Sequence, residues 1–166
     1  WAGLQQRCRT AIRKAEKNGL AAQRSTDPAF LDSLYALVAA VFARQKFTPS
    51  YDAGRLRRLW DAMRPQAKVE GIEIRKGERL AAAGLFIHDG HQAYAWSEAS
   101  DPEFNTLAPN NLLYWEAKRL YAARGVGHLH LPGAAGSPIG KFKASFNPEV
   151  LSFPFWIRDR DPLLRW

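Results

Sequence analysis

The amino-acid sequence predicts an α+β protein with a mixed, mostly antiparallel sheet flanked by helices. The first observation is a change of period near residue 69, because hydrophobic residues recur at helical spacing before it and at alternate positions after it. The second is a run of three alternating segments joined by short turn signals, which is typical of an antiparallel meander. The third is a late strand–helix–strand crossover, which favours one parallel pairing in the same sheet.

The first part of the chain is predicted to contain three helices and one short strand. The first helix covers residues 3–18 and is ended by Gly19, and a strand follows over residues 20–25. The second helix begins after Asp27 and Pro28 and runs to about Gln45. The third is expected to be capped by Ser50 and ended by Pro65. The apolar stripes of these helices are Leu4, Cys8, Ile12 and Ala15; then Phe30, Leu34, Leu37, Val38, Val41 and Phe42; then Leu56, Leu59, Trp60 and Met63.

The second part of the chain is predicted to begin with three strands, over residues 69–74, 80–88 and 91–100. Asp89-Gly90 is the hairpin signal between the last two. A helix is expected over residues 105–124, with Pro109 near its start and Gly125 at its end. A short strand over 128–131, a turn of helix, and a final strand over 151–157 complete the order, with Phe153, Phe155 and Ile157 alternating on the last strand.

Composition and charge limit the class of protein. A length of 166 residues with 46% hydrophobic residues suits one domain with a sizeable core, so residues 1–166 are interpreted as one domain. No apolar run is long enough to cross a bilayer. The one cysteine, Cys8, cannot form an internal disulfide, which indicates a reducing cytoplasm. Because the sequence begins at Trp1 rather than at Met, we expect that it was cut from a longer protein.

The net charge of +8 is concentrated near the beginning of the chain. Residues 1–24 carry six cationic side chains against a single acidic one, and Arg9, Arg13 and Lys17 recur at four-residue steps along one side of the first helix. A basic surface of this kind favours polyanions such as RNA, a phosphorylated substrate or an anionic membrane surface. A merely solvated helix face is the alternative interpretation.

The stretch from His128 to Phe146 is the main candidate for a functional site. An alternating strand breaks at Pro132-Gly133, passes through a glycine-containing loop and ends on an amphipathic turn. Phe142 and Phe146 are four residues apart and share one helical face, so Lys143 points away from that face. Such a segment would place a fixed cation in a cleft. The alternative is an ordinary loop with a solvated lysine.

Three other sites are disfavoured by spacing. A P-loop would require glycine at Ala135 and a hydroxyl at Phe142. A dinucleotide fingerprint fails because His130 stands where the third glycine should be. His128 and His130 share a strand face and could form half of a zinc site, but the sequence offers no evident third ligand, so no metal is expected.

Several motifs together resemble Fem-type acyltransferase domains of the GNAT superfamily. Residues 12–19, Ile-Arg-Lys-Ala-Glu-Lys-Asn-Gly, are similar to the basic opening helix of that family. Residues 99–103 and 108–117 resemble its strand-to-helix crossing. Residues 140–146, Gly-Lys-Phe-Lys-Ala-Ser-Phe, resemble its closing Phe-Lys motif. The resemblance spans nearly the whole chain, in the family's order, and implies a GNAT-like fold.

The resemblance also implies an activity and partners. Fem-type enzymes include the peptidoglycan-bridge enzymes, which contain two GNAT-like halves and move an amino acid from aminoacyl-tRNA to an amine on a bacterial cell-wall precursor. This chain matches only the second half, so an N-terminal half is missing and the remaining lobe is expected to expose apolar surface that could pair into a homodimer. No resident cofactor is expected. The donor is aminoacyl-tRNA or acyl-CoA.

The ordinary acetyl-CoA-dependent GNAT enzyme is the alternative, together with a non-catalytic half that docks RNA or an anionic envelope precursor. GNAT enzymes that use acetyl-CoA carry Arg/Gln-x-x-Gly-x-Gly/Ala between the central strand and the next helix, where backbone N–H groups hold the pyrophosphate. The corresponding interval here, residues 97–111, contains no glycine. A CoA pyrophosphate is therefore disfavoured, although Asn110 and Asn111 could present N–H groups to another anion.

Site residues follow from the chemistry of amide formation, which needs a positioned amine, a base and stabilisation of an oxyanion. By resemblance, Lys143 contacts the acyl ester or its developing oxyanion. Asp101 and Glu98 are the candidate bases, and Asp101 is equally well explained as a turn residue beside Pro102. Residues expected to bind substrate are Arg9, Arg13, Lys14, Tyr94, Trp96, Asn110, Asn111 and Phe142, although Tyr94 and Trp96 could instead pack in the core.

Overall fold

The computed structural model describes residues 1–133 and 137–152, which contain five α-helices, two 3₁₀ helices and five strands. In chain order these are α1 (Gln6–Lys17), β1 (Ala21–Ser25), α2 (Phe30–Arg44), α3 (Ala53–Met63), a 3₁₀ helix (Arg64–Gln66), β2 (Val69–Lys76), β3 (Arg79–His88), β4 (Gln92–Ser100), a second 3₁₀ helix (Pro102–Leu107), α4 (Pro109–Ala123), β5 (His128–His130) and α5 (Pro138–Ala144).

The strands form one sheet in the order β1-β2-β3-β4-β5. The first three pairings are antiparallel, and β4 and β5 are parallel. The parallel pair arises because α4 crosses between the two strands and returns the chain in the same direction. The predicted mixed sheet and its single parallel pairing are therefore confirmed.

The two faces of the sheet are covered by different helices. α1 and α4 cover one face, where Ile12, Phe86 and Leu113 are fully buried. α2 and α3 cover the other, where Leu34, Leu56 and Leu85 are fully buried. Phe86 and Leu85 are successive residues of β3, so the period of two in this strand supplies both cores. Gly71 allows α2 to approach the sheet, because a Cβ at this position would lie 2.5 Å from the Phe30 ring.

Several predicted boundaries were wrong. α3 is capped by Asp52, whose carboxylate accepts from the Arg55 N–H at 2.7 Å, rather than by Ser50. The helix expected from residue 105 begins at Pro109, because Ala108 has a left-handed backbone (φ 59°) that separates it from the preceding 3₁₀ helix. β2 continues to Lys76, so the turn before β3 shrinks to Gly77 and Glu78.

The final strand predicted over residues 151–157 is not observed at Leu151 and Ser152, which have no strand structure and are exposed. Residues 153–157 lie outside the described residues. Within the described ranges, no helix combines the length and the hydropathy needed to cross a membrane.

Candidate active site

The candidate site is a cleft that opens where β4 and β5 diverge. The two strands pair only from Gln92 and His128 to Tyr94 and His130. Immediately beyond, β4 contains a bulge at Trp96, because Ala95 pairs with Phe86 while Ser97 pairs with Leu85. An additional residue in one strand bends it away from its neighbour. β4 and β5 therefore lie side by side over three residues and separate beyond them.

The cleft has a volume of about 440 Å³ and mostly apolar walls. It is lined by Ile87, Tyr94, Ala95, Trp96, Glu98 and Pro132. Glu98 is the one charged residue among these lining residues, so the chemistry of the cleft centres on its carboxylate.

Lys143 reaches the gap between the diverging strands, but its ammonium group is paired. The side chain is buried, with 7% of the residue exposed, and Nζ lies 3.3 Å from Glu98 Oε1. Nζ also donates to the carbonyl of Pro132, which follows β5. The ammonium therefore connects the β4 side of the cleft to the β5 side. Whether it also contacts substrate stays a prediction.

The aromatic spacing around Lys143 explains how it is placed there. Phe142 and Phe146 contact each other, with ring centroids 5.6 Å apart, and both pack on Tyr114 of α4 at 5.6 and 5.7 Å. Because this face of the turn is held against α4, Lys143 is directed toward β4. Phe142 therefore has a packing role here, and its contact with substrate stays a prediction. Lys141 is exposed.

Tyr114 completes a three-residue cluster with Glu98 and Lys143. Its hydroxyl donates to Glu98 Oε1, and its ring centroid lies 5.6 Å from Lys143 Nζ. Burial raises the pKa of Tyr114 far above its ordinary value, and the nearby charge of Glu98 raises it further. The hydroxyl is therefore a donor to Glu98 at neutral pH.

Glu98 keeps one oxygen for other chemistry. Both Tyr114 and Lys143 bond to Oε1, and within the described part of the chain no hydrogen bond to Oε2 is found. A carboxylate oxygen at the cleft wall can accept a proton from, or orient, an incoming amine.

Asp101, the other candidate base, is engaged elsewhere. Its carboxylate accepts from the N–H of Glu103 at 2.9 Å and caps the second 3₁₀ helix, and it lies 3.9 Å from the Arg79 guanidinium. In the described part of the chain no hydrogen bond or ion pair joins Asp101 to Glu98 or Lys143. This geometry fits the turn role that the Asp-Pro pair suggested.

Tyr94 and Trp96 both line the cleft and are held by aromatic neighbours. Tyr94 stacks on His130, with centroids 4.6 Å apart and planes at 11°. Trp96 lies 5.1 Å from the ring of Tyr51, whose hydroxyl is 2.7 Å from Ser97 Oγ. Burial raises the pKa of Tyr51. These contacts fix the cleft walls in place.

The start of α4 offers few free N–H groups. Those of Ala108 and Asn111 bond to the carbonyls of Asn105 and Ala108, each at 3.1 Å, and Pro109 has none. The side chain of Asn110 donates to Ser100 Oγ at 2.9 Å, and that of Asn111 points at Cys8 Sγ, 3.7 Å away. The side chains of both asparagines thus join α4 to β4 and α1, and binding of an anion by their N–H groups stays a prediction.

The basic residues of α1 are not gathered at the cleft. Arg9 donates to the carbonyls of Ala2 and Leu4 and to Gln6 Oε1, so it secures the chain's own first turn. The guanidinium of Arg13 lies 5.2 Å from the Trp1 ring, and Lys14 is exposed. Binding of an anionic partner by Arg9, Arg13 and Lys14 stays a prediction.

The histidine pair shares a strand face as expected, with ring centroids 6.5 Å apart. His130 donates from Nε2 to Gln92 Oε1 at 2.6 Å. Among the described residues no group of three metal-ligating side chains is found.

Tyr114, Pro132 and Tyr51 are the site residues that sequence reasoning missed. The signal for Tyr114 was present, since it is a polar-tipped residue between apolar positions of a helix, and a buried tyrosine hydroxyl requires a partner. Nothing in the pattern marks the carbonyl of Pro132 or the approach of Tyr51, which comes from a loop on the other side of the sheet.

Solved structures with this arrangement of helices and strands include FemX, with a TM-score of 0.71 at 14% sequence identity. That match covers 87% of this chain and 54% of the FemX chain, so the chain spans about half the length of FemX. An aminoglycoside acetyltransferase from an uncultured soil metagenomic sample, solved in complex with sisomicin, has a TM-score of 0.64 at 17% identity, covering 86% of this chain and 99% of that one. A possible acetyltransferase from Clostridium difficile 630 has a TM-score of 0.66 at 11% identity, covering 84% and 97%.

At these identities the structural likeness shows the fold alone, and it confirms the predicted GNAT-like fold. No curated protein sequence matches significantly. A family model described as an acetyltransferase (GNAT) domain matches residues 3–143. Because this match covers most of the chain, the protein belongs to the GNAT acetyltransferase domain family.

Proposed function

We propose that this domain transfers an acyl or aminoacyl group from an activated ester or thioester to an amine. The observation that carries the proposal is the Glu98–Lys143–Tyr114 cluster beside the cleft between β4 and β5. Within a GNAT fold it combines a buried cation, a fixed hydroxyl and a carboxylate with one oxygen to which none of the described residues bonds.

In the proposed reaction the amine nitrogen attacks the carbonyl carbon of the donor. The nitrogen gives up a proton to Glu98 Oε2, either directly or through one water. Negative charge develops on the former carbonyl oxygen, and Lys143 supplies a nearby positive charge for it. Collapse of the tetrahedral intermediate forms the amide bond and breaks the bond to the leaving oxygen or sulfur. That atom then takes the proton.

We place Glu98, rather than Asp101, in the role of base. Glu98 lies on the cleft wall, whereas the carboxylate of Asp101 is used to cap a 3₁₀ helix and lies near Arg79. Tyr114 acts through Glu98 by fixing the orientation of its carboxylate, and Lys143 helps to fix it in addition to supplying charge for the oxyanion.

The Fem-type donor and acceptor are part of the proposal. The scarcity of free N–H groups at the start of α4 disfavours a CoA pyrophosphate, and the motif resemblance implies an aminoacyl ester such as aminoacyl-tRNA instead. The motif resemblance to Fem-type enzymes implies the other parts of the proposal, which are an amine on a cell-wall peptide precursor as acceptor, an N-terminal GNAT-like half upstream, and a cytoplasmic setting.

An ordinary acetyl-CoA-dependent acetyltransferase is the second candidate, favoured by the similarity to the aminoglycoside acetyltransferase. A polycationic aminoglycoside fits this cleft poorly. Glu98 is the one carboxylate among the lining residues, and the whole chain has a net charge of +8. Opposite charge is what draws a polycation into a cleft.

The test compares Glu98→Gln with Asp101→Asn in the full-length protein, with aminoacyl-tRNA and acetyl-CoA offered in turn as donor. We expect Glu98→Gln to lower kcat by about a hundredfold, because the amide cannot accept the proton, and Asp101→Asn to retain most of the activity. Equal rates for Glu98→Gln and the parent protein would refute the proposal. Turnover with acetyl-CoA alone would keep acyl transfer and overturn its Fem-type form.

A further inference from the structure

We infer that the first turn of α1 positions Lys143, and that Gln5 is the residue through which it does so. The inference rests on the proposed function, because it concerns how the site of that reaction is assembled. It assigns a role to the opening segment of the chain that its basic charge does not suggest.

Three hydrogen bonds join the start of α1 to the end of α5. The backbone N–H of Gln5 donates to the Ser145 carbonyl at 3.1 Å, and its side-chain Nε2 donates to the Ala144 carbonyl at 3.0 Å. Arg7 donates from its guanidinium to the Lys141 carbonyl at 3.1 Å. The three acceptors lie on both sides of Lys143 in the sequence, so α1 holds the backbone that carries this lysine.

α5 gains from such support because it is short. It has seven residues, and beyond it the N–H groups of Ser145, Phe146 and Asn147 donate to the carbonyls of Phe142, Lys143 and Ala144, which adds one turn. Helices of this length are marginal in water without tertiary contacts. The N–H of Gly140 donates to the Ser137 side chain at the other end, at 3.0 Å, and Gln5 and Arg7 add tertiary contacts at the C-terminal end.

A small movement of α5 would be felt at the cleft. Lys143 Nζ lies 3.3 Å from Glu98 Oε1, and displacement of a reacting or charge-stabilising group by about 1 Å can cost up to about a hundredfold in rate. Gln5 is itself held in place by the turn that Arg9 secures through the Ala2 and Leu4 carbonyls. Contacts therefore run from Arg9 through Gln5 and α5 to Lys143 and Glu98.

The experiment is a double-mutant cycle in the full-length protein, with Gln5→Ala, Lys143→Ala and the combined variant. We expect Gln5→Ala to lower kcat about tenfold with little change in KM, since the bound substrate is unaffected but the lysine is misplaced. In the Lys143→Ala background, Gln5→Ala should change kcat by less than twofold, because a positioning residue has no effect once its target is gone.

Gln66→Ala is the matched control for loss of a hydrogen bond. Gln66 Nε2 donates to the Ala62 carbonyl at 3.0 Å, near the end of α3 on the other side of the sheet. We expect it to change the midpoint of urea unfolding about as much as Gln5→Ala does, without the loss of kcat. Gln5→Glu, which places an acceptor against a carbonyl, should impair kcat more than Gln5→Ala.

The variants distinguish a failure of the proposed function from a failure of the positioning role of Gln5. If Lys143→Ala keeps full activity, the proposed function fails. If Lys143→Ala is impaired but Gln5→Ala is silent, or lowers kcat by the same factor in both backgrounds, the positioning role of Gln5 is wrong while the proposed function stands.

Discussion

Lys143 and Glu98 form a buried ion pair in which neither charge is left alone. The side chains are 8% and 17% exposed, the Tyr114 hydroxyl also donates to Glu98, and Lys143 also donates to the Pro132 carbonyl. Removing one partner of such a pair leaves the other poorly solvated, which destabilises a fold far more than loss of a surface pair. A substitution at either residue therefore changes stability as well as chemistry, and experiments must separate the two.

Lys143→Ala should lower kcat of the full-length protein by roughly a hundredfold or more, about 3 kcal/mol, because a cation near the developing negative charge is lost. Steady-state kinetics measures this, with Lys141→Ala as the control, since Lys141 is exposed and should be nearly silent. Equal, small losses at both lysines would mean that residues 137–146 only pack against α4.

The stability part of this effect can be isolated with a neutral pair. Glu98→Gln combined with Lys143→Met removes both charges, so we expect urea unfolding to return close to that of the parent protein while activity stays low. A double variant as unstable as Lys143→Ala would show that shape, rather than charge balance, sets the stability of this cluster.

Tyr114 should make the free energy of unfolding depend on pH in the alkaline range. Because burial and Glu98 raise its pKa in the folded state above the ordinary 10.0, the unfolded chain loses this proton first as the pH rises. The contribution of this one group to the free energy of unfolding is constant below pH 10 and should fall above it, by up to about 1.4 kcal/mol per pH unit.

Tyr114→Phe should make this fall shallower, as followed by urea unfolding at several pH values. An unchanged slope would contradict the buried hydroxyl. Burial also raises the pKa of Tyr121, so some alkaline slope should remain.

The side-chain contacts of the site were less predictable from the sequence than the order of helices and strands. The four-residue spacing of Phe142 and Phe146 predicted that Lys143 would turn away from their shared face; its ammonium lies beside Glu98 but also 5.6 Å from the ring of Tyr114, on which that face packs. That the ammonium would meet Glu98 and the Pro132 carbonyl depends on a strand bulge and on a loop path. Neither leaves a trace in hydrophobic periodicity.

At the scale of elements, the site is built from the sheet, α4 and the short helix α5. β4 and β5 separate because the bulge at Trp96 bends β4. α5 lies close enough to the gap for Lys143 to contact Glu98 of β4. α4 supplies the surface on which α5 packs, through Tyr114. Strand and helix order was predictable from period and turn chemistry, whereas the boundary at Ala108 was not, because a left-handed alanine is uncommon and no local signal marks it.

The hydrogen bonding at the start of α4 predicts that CoA binds weakly. With the N–H groups of Ala108 and Asn111 already bonded and Pro109 lacking one, a pyrophosphate has few donors to meet. We expect acetyl-CoA to bind more weakly than millimolar, equivalent to less than about 4 kcal/mol. Isothermal titration calorimetry checks this, and a micromolar constant would restore the ordinary acetyltransferase interpretation.

For the whole molecule, the interpretation as one lobe of a two-lobed protein implies that part of the surface is an interface with the other lobe. Several large apolar side chains are exposed, including Phe47 at 69%, Val150 at 75% and Leu151 at 60%. Single exposed apolar residues are common on protein surfaces, so these alone do not define an interface. They become informative if the isolated lobe behaves differently from the full-length protein.

The last prediction tests that difference. If a second GNAT-like half normally packs on this lobe, residues 1–166 expressed alone should bind a hydrophobic dye and associate at high concentration, because an uncovered interface tends to pair with another apolar surface. Light scattering and dye fluorescence measure the two effects, and the full-length protein should show neither. Val150→Ser with Leu151→Ser should reduce association if these residues belong to the interface, while Lys118→Ser, a substitution at an exposed position of α4, should leave it unchanged. A strictly monomeric lobe that binds no dye would count against a missing half. The catalytic proposal would stand in that case, because it depends only on contacts within this lobe.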